Sequence, residues 1–246
     1  MQRTTTMSVL RAALRCRPLK QRRRVSLKAD GYPRDFTFLP NFYSPSEQRI
    51  LLSAALQKLD ALENRQYRRR RKEYLQQNPV IGRHGTSIQD GFLPDELYCF
   101  EEGHYDGVIK RYREMHVSSW PQDIPELPAL LSRLSTVHPA AETQTHLLHL
   151  SSSGEILPHV DNLGASGSWI LGVCLGSTRT LRLENTEDTS DTYEIMLPSG
   201  CVYMQQDSLR YGYKHAVLRA ASAPGVPPTG EQRITILVRD RLPPTQ

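Results

Sequence analysis

His159, Val160 and Asp161 place an imidazole and a carboxylate two residues apart, and a second imidazole, His215, follows 54 residues after Asp161. Side chains alternate faces along a strand, so His159 and Asp161 aim at one spot if this segment is extended. A carboxylate and a neutral imidazole, completed by an imidazole from a later strand, form the two-histidine, one-carboxylate face that binds iron(II) and leaves coordination positions open. His215 suits the third place because it sits in the alternating run 210–217, which reads as a strand. Alone, His-X-Asp is a common pattern, and a single strand histidine is more often a packing residue. The later arginines give it meaning. Eighteen residues after His215, Arg233 opens a β-branched run that ends at Arg239, six residues on and therefore on the same face. A guanidinium fork grips a carboxylate at two points, so an iron face followed by an arginine face points to a dicarboxylate co-substrate.

In this order of elements, His-X-Asp, a distal His, then Arg-X5-Arg, the chain resembles the AlkB-like iron(II)- and 2-oxoglutarate-dependent dioxygenases. Within that family it resembles the mitochondrial branch, the seventh AlkB homologue. The resemblance covers Phe38 through Pro243 and includes the Arg68–Arg71 run, Trp120, Pro158-His159-Val160-Asp161, Gly200-X-X-Tyr203 and Arg210-Tyr211. It implies iron(II) held by His159, Asp161 and His215, with O2 and 2-oxoglutarate as co-substrates. It also implies that Tyr203, Arg233 and Arg239 hold 2-oxoglutarate, which is decarboxylated to succinate as a substrate is oxidised. For that substrate, the mitochondrial branch implies a protein and a link to fatty-acid metabolism and programmed necrosis. Repair members carry Asn-X-Tyr upstream of the iron motif and Arg-X-Asn-X-Thr-X-Arg in the arginine strand. Here Leu148-His149-Leu150 stands near the first, and the arginine strand has no asparagine. Nucleobase recognition is therefore not implied. Two alternatives stand beside the protein-directed enzyme: a mitochondrial RNA demethylase, which needs stacking aromatics at the cavity mouth, and a non-enzymatic jelly-roll binding module.

The elements that must position these residues are mostly strands. Runs at Thr145–Ser151, Ile156–Asp161, Ser168–Leu175, Thr178–Glu184, Thr192–Leu197, Cys201–Gln205, Arg210–Leu218 and Arg233–Arg239 alternate between turn signals. Short strands at this spacing predict a mainly β (α+β) fold, a double-stranded β-helix or jelly roll with a core at 145–240 and flanking N-terminal helices. Ser44, Pro45 and Glu47 form a helix start, and apolar residues recur at helical spacing to Leu62. Phe36–Phe42 reads as an extended entry segment and Leu127–Val137 as a short helix. Residues 76–126 read as loops over the barrel mouth, with a weakly helical Val108-Ile109-X-X-Tyr112. His84, His104 and His116 lack partners at metal spacing and read as surface histidines. Residues 220–230 read as a flexible loop and the tail from Pro243 as disordered.

Residues 1–29 hold nine lysines and arginines and no acid, a hydroxyl-rich composition typical of a mitochondrial transit peptide. The expectation is import to the matrix and a single dioxygenase domain at 30–246. A basic arm for nucleic acid is the competing reading of that segment. Removing those nine from 31 basic residues leaves 22 against 26 acidic ones, a net charge of −4. The remainder concentrates its basic charge at Arg65 and Arg68–Lys72, read as the solvated end of a helix. An acidic domain of this kind is not expected to bind duplex DNA. No apolar run approaches the roughly 20 residues of a transmembrane helix. Cys16, Cys99, Cys174 and Cys201 show neither metal spacing nor a disulfide framework.

Overall fold

Alternating apolar runs make the scaffold. The computed structural model describes residues 31–78, 87–162, 164, 167–219 and 231–242. Its strands are β1 Phe36–Leu39, β2 Glu101–Gly103, β3 Ile109–Val117, β4 Thr143–His159, β5 Trp169–Gly176, β6 Arg179–Asn185, β7 Thr192–Leu197, β8 Val202–Gln206, β9 Tyr213–Arg219 and β10 Arg233–Asp240. Helices α1 Pro45–Leu62, α2 Arg65–Gln77, α3 Leu127–Leu134 and the short α4 Asp207–Gly212 surround them. The strand order is β1-β8-β5-β10-β4-β9-β6-β7, with β3 also against β4 and β2 on β3. All pairings among the described residues are antiparallel. The expected jelly roll with N-terminal helices is the observed fold. β4 joins its two halves: residues 143–150 pair with β10, whereas Ile156 and His159 pair with β9. The strand passes close under β3 at Gly154, where a Cβ would lie 2.6 Å from the Arg111 carbonyl oxygen.

Period-two alternation divides the apolar residues between two cores. Ile234, Ile236 and Val238 of β10, with Leu171, Val173 and Leu175 of β5, pack outward against Leu51, Leu52, Ala55 and Leu59 of α1. Leu237, Leu148, Ile170, Leu181, Leu183 and Val217 fill the space between the two halves of the roll. Each fully buried Leu or Ile contributes about 1.5–3 kcal/mol, so the roll is held from both faces. The alternation that buries Ile234 and Ile236 turns Arg233, Thr235 and Arg239 inward. The α1 start is capped as its sequence predicts: Ser44 Oγ accepts from Glu47 N, and Glu47 Oε2 accepts from Ser44 N at 2.8 Å.

Several expectations need correction. The runs 145–151 and 156–161 are one strand ending at His159, because β3 and β10 hold its first half continuously. The weakly helical stretch at 108–112 opens β3, stabilised by pairing with β4 that no local pattern reveals. The basic run is not the solvated end of α1. It forms α2, capped by Asn64, whose side chain accepts from Gln66 N and Tyr67 N. Arg71 within it is buried against Glu63, Asp60 and the Leu97 carbonyl. Residues 210–212 belong to α4 rather than to a strand. Segment 1–29, the loop 220–230, the tail from 243 and His84 lie outside the described residues. Among the described residues, no helix is long and apolar enough to cross a membrane.

Candidate metal and keto-acid site

His159 is the last residue of β4 and lies directly opposite His215 of β9, because that register is fixed by the pairing of the two strands. Their ring centroids are 4.3 Å apart. Asp161 lies two residues beyond the strand, so strand alternation is not what aims it. Arg210 of α4 donates to the carbonyl oxygens of Asp161 at 3.1 Å and Asn162 at 3.2 Å, clamping the turn. Arg239 Nη2 reaches Asp161 Oδ2 at 3.3 Å. His159 Nε2 and His215 Nε2 then lie 3.0 and 3.7 Å from the same oxygen, Asp161 Oδ1. One ligand atom from each of the three residues lies within 4.8 Å of the others.

The electrostatics of the cluster fit a cation. Burial would raise the Asp161 pKa, but His215, His159 and Arg239 outweigh it and hold the carboxyl far below the usual carboxylate range. Burial pushes His215 down to about 4, so it is a neutral imidazole at pH 7. Burial also acts to lower His159, yet its bonds to Asp161 and the Leu157 carbonyl leave it raised. His159 Nδ1 lies 2.9 Å from that carbonyl, and donation there leaves Nε2 directed at Asp161. Two imidazole nitrogens facing one carboxylate oxygen require a proton or a metal ion between them, and this donor set suits iron(II).

The cluster opens into a cavity of about 490 Å³ whose lining includes Tyr203, Thr235 and Arg239. Tyr203 of β8 lies opposite Gly172 of β5, and any side chain at 172 would collide with its ring, since a Cβ there would stand 2.5 Å from it. Arg239 Nε is buried and has no hydrogen-bond partner among the described residues. A bound carboxylate would satisfy that donor. Arg233 shares the face but does not line the cavity. Its Nη1 donates to the Ser177 and Leu197 carbonyls at 3.0 Å each, and its Nε lies 3.3 Å from Thr235 Oγ1. The structure thus brings His159, Asp161, His215, Tyr203 and Arg239 to one cavity and keeps Arg233 one layer behind it.

Residues 35–239 match the 2OG-Fe(II) oxygenase superfamily. The chain belongs to that superfamily. Its members use iron(II), 2-oxoglutarate and O2, which is the chemistry the donor set and the free arginine donor fit. The chain is similar to the alpha-ketoglutarate-dependent dioxygenase alkB homolog 7, mitochondrial, of Bos taurus, at 32% identity over 124 residues, 49% of this chain and 55% of the relative. The Mus musculus protein of the same name is 31% identical over 122 residues, again 49% and 55%. The chain therefore spans about half the length of these curated relatives. Among solved structures, OsALKBH1 aligns with a TM-score of 0.48 and 16% identity, covering 91% of this chain and 100% of that one. A Pseudomonas putida prolyl-4-hydroxylase aligns with a TM-score of 0.47 and 12% identity, covering 84% and 93%.

Three cavity residues were not legible as such. His116 is exposed, as its reading as a surface histidine has it, and His104 is half-buried; both line the cavity without joining the metal cluster. His146 lines it too, stacked on His116 with centroids 4.5 Å apart. The β3–β4 register that sets His116 opposite His146 is the signal that would have found them. Arg210 was visible only as part of a family resemblance, because its clamp depends on α4 folding back onto the turn after β4.

Proposed function

We propose that this chain is an iron(II)- and 2-oxoglutarate-dependent dioxygenase of the AlkB type, acting on a protein substrate in mitochondria. The observation that carries this reading is the meeting of His159, Asp161 and His215 at a cavity that also presents Tyr203 and Arg239, whose Nε has no partner among the described residues. His159 and His215 would offer Nε2, and Asp161 its carboxylate, to the metal. When bound, iron(II) with 2-oxoglutarate supplies the reduction of dioxygen that oxidises a substrate C–H bond and releases succinate and CO2. The protein's own part is placement. Arg239 supplies positive charge to a keto-acid carboxylate, Tyr203 a hydroxyl donor from the cavity wall, and Arg233 a fixed cation behind Thr235. Leu148, Ile156, Ile170 and Val217 line the same space and exclude water. A matrix location, and a role alongside fatty-acid metabolism and programmed necrosis, rest on the resemblance and on the relatives named mitochondrial. A second reading, the mitochondrial RNA demethylase, is favoured by one observation: α2 exposes Arg65, Arg68, Arg69, Arg70 and Lys72.

Asp161→Ala tests the reading. It removes the one anionic ligand and should lower bound iron after anaerobic loading by at least about tenfold, since even outer partners of metal ligands shift affinity by about 10–100-fold. Succinate formation should fall with it. Full iron stoichiometry in the variant would sink the assignment.

A further inference from the structure

Outside the metal cluster the cavity is lined by ionisable groups that the proposed reaction leaves unused. Asp106 Oδ1 is 2.9 Å from His104 Nδ1, and His104 Nε2 is 4.0 Å from Glu114 Oε1. Glu114 Oε2 is in turn 3.3 Å from His146 Nε2. Two carboxylates thus alternate with two imidazoles along one side of the cavity. His146 contributes no positive charge at neutral pH, because burial, with help from His116 and Arg239, pushes it down to about 4. Burial also raises the pKa of Glu114, and a carboxylate that burial destabilises gains most from an incoming cation. Arg239, on β10 beside β4, is paired with Asp161, and its pull on the Glu114 pKa is smaller than that of burial.

Beside these groups and His116, the wall is apolar. Val108 and Ile109, where the chain enters β3, and Ile156 of β4 line the cavity beside the carboxylates. At the rim Tyr105 is 92% exposed, its ring 4.1 Å from that of His104. An aliphatic wall leading to carboxylates suits a side chain with a long methylene stem and a charged head. An aromatic ring at the rim adds a face on which a guanidinium or ammonium can rest.

We propose that this wall is the substrate subsite and that it takes a basic side chain, lysine or arginine, of a protein. The stem lies along Val108, Ile109 and Ile156, and the cationic head enters between Asp106 and Glu114, the place the His104 imidazole now bridges. This rests on the reading of the cavity as an iron and 2-oxoglutarate site, and narrows its substrate. The same carboxylates repel phosphate, which weighs against a nucleic-acid strand entering here.

The test uses the full chain loaded with iron(II) and 2-oxoglutarate under nitrogen, and capped peptides that differ only at a central lysine, arginine, norleucine or citrulline. Binding is read by calorimetry. The charged peptides should bind about tenfold more tightly than their neutral counterparts, the difference one charge-assisted hydrogen bond makes. Asp106→Asn, at an exposed position that tolerates exchange, and Glu114→Gln should each reduce that preference, and together abolish it. Equal binding of charged and neutral peptides, or a preference that survives in the double variant, would overturn the proposal. So would a methylated RNA oligonucleotide that displaces the lysine peptide and stimulates succinate release. Acceptor-free succinate formation by the unaltered chain is measured in parallel. Its absence would count against the iron and 2-oxoglutarate reading, whereas its presence beside a failed peptide preference would count against the subsite alone.

Discussion

The two ends of β10 carry arginines on one face, in opposite environments. At the first end Arg233 is 1% exposed, with Nη1 on two carbonyl oxygens and Nη2 2.5 Å from Cys174 Sγ. At the other end Arg239 stands in the cavity wall, paired with Asp161 and with Nε unpartnered among the described residues. Spacing put them on one face, and packing made them different. A saturated guanidinium mainly holds strands together, whereas one with a spare donor at a cavity can bind.

The largest expected effect that would break this contrast is on stability. Arg233→Ala leaves the Ser177 and Leu197 carbonyls buried without their donor and should destabilise the fold by on the order of 3 kcal/mol, as removal of one partner from a buried charged network does. Arg239→Ala should change the urea midpoint little. It should instead raise the 2-oxoglutarate requirement for acceptor-free succinate formation about 10- to 100-fold, matching roughly 1.5–3 kcal/mol of charge-assisted bonding. Equal destabilisation by both variants would erase the distinction.

A buried group beside the Arg233 end sharpens it. His149 is buried in the β4 face that meets α1 and the segment 92–100. Arg113 Nε donates to its Nδ1 at 2.9 Å, so Nε2 carries the proton and donates to Gln232 Oε1 at 3.0 Å. Burial, with Arg113 adding to it, holds its pKa well below 6.5. The unfolded chain therefore takes up a proton near pH 6.5 that the folded chain refuses, and stability falls as pH drops from about 6.5 toward the folded value. At pH 5.5 the loss should be about 1.4 kcal/mol. His149→Gln should shrink the fall in urea midpoint between pH 7 and 5.5 without abolishing it, since His146 and His215 are held low as well; an unchanged fall in the variant would remove His149 as a source.

The smallest expected effect separates neighbours within α2. Arg68, Arg69 and Arg70 are exposed, whereas Arg71 is buried with Glu63 and Asp60. Replacing the three exposed arginines with Ala should move stability by no more than about 0.5 kcal/mol and leave acceptor-free succinate formation as it was. If the triple variant loses RNA binding together with activity on methylated RNA, α2 is a substrate surface and the demethylase reading moves ahead.

Local chemistry accounts for what was readable in advance. The α1 start was legible because a capping box and a first-turn proline act within four residues. Strands β6 and β7 were legible because they alternate, and β5, β8 and β10 because short apolar, β-branched or aromatic runs lie between turn signals, β5 being buried at every residue. β3 was misread because charged residues fall on both of its faces, with Glu114 and His116 at the cavity and Arg113 buried against Asp60, Glu63 and His149, leaving no apolar period. The break between Arg210 and Tyr213 was missed because α4 is one short helical turn whose packing on β5 and β8 no periodicity announces.

The sequence by itself determined which residue types were available for chemistry, a His-X-Asp pair, a distal His and two arginines, and the alternation that puts both arginines on one strand face. It also determined the jelly-roll class, since alternation follows from the two-residue repeat of any strand. Only the tertiary structure decided how Asp161 is aimed, by Arg210 from α4 and Arg239 from β10, and which arginine keeps a free donor. It alone set Asp106, His104, Glu114 and His146 in one row. These relations join residues tens of positions apart through strand register, and register is fixed by packing across the whole roll rather than by any local run of sequence.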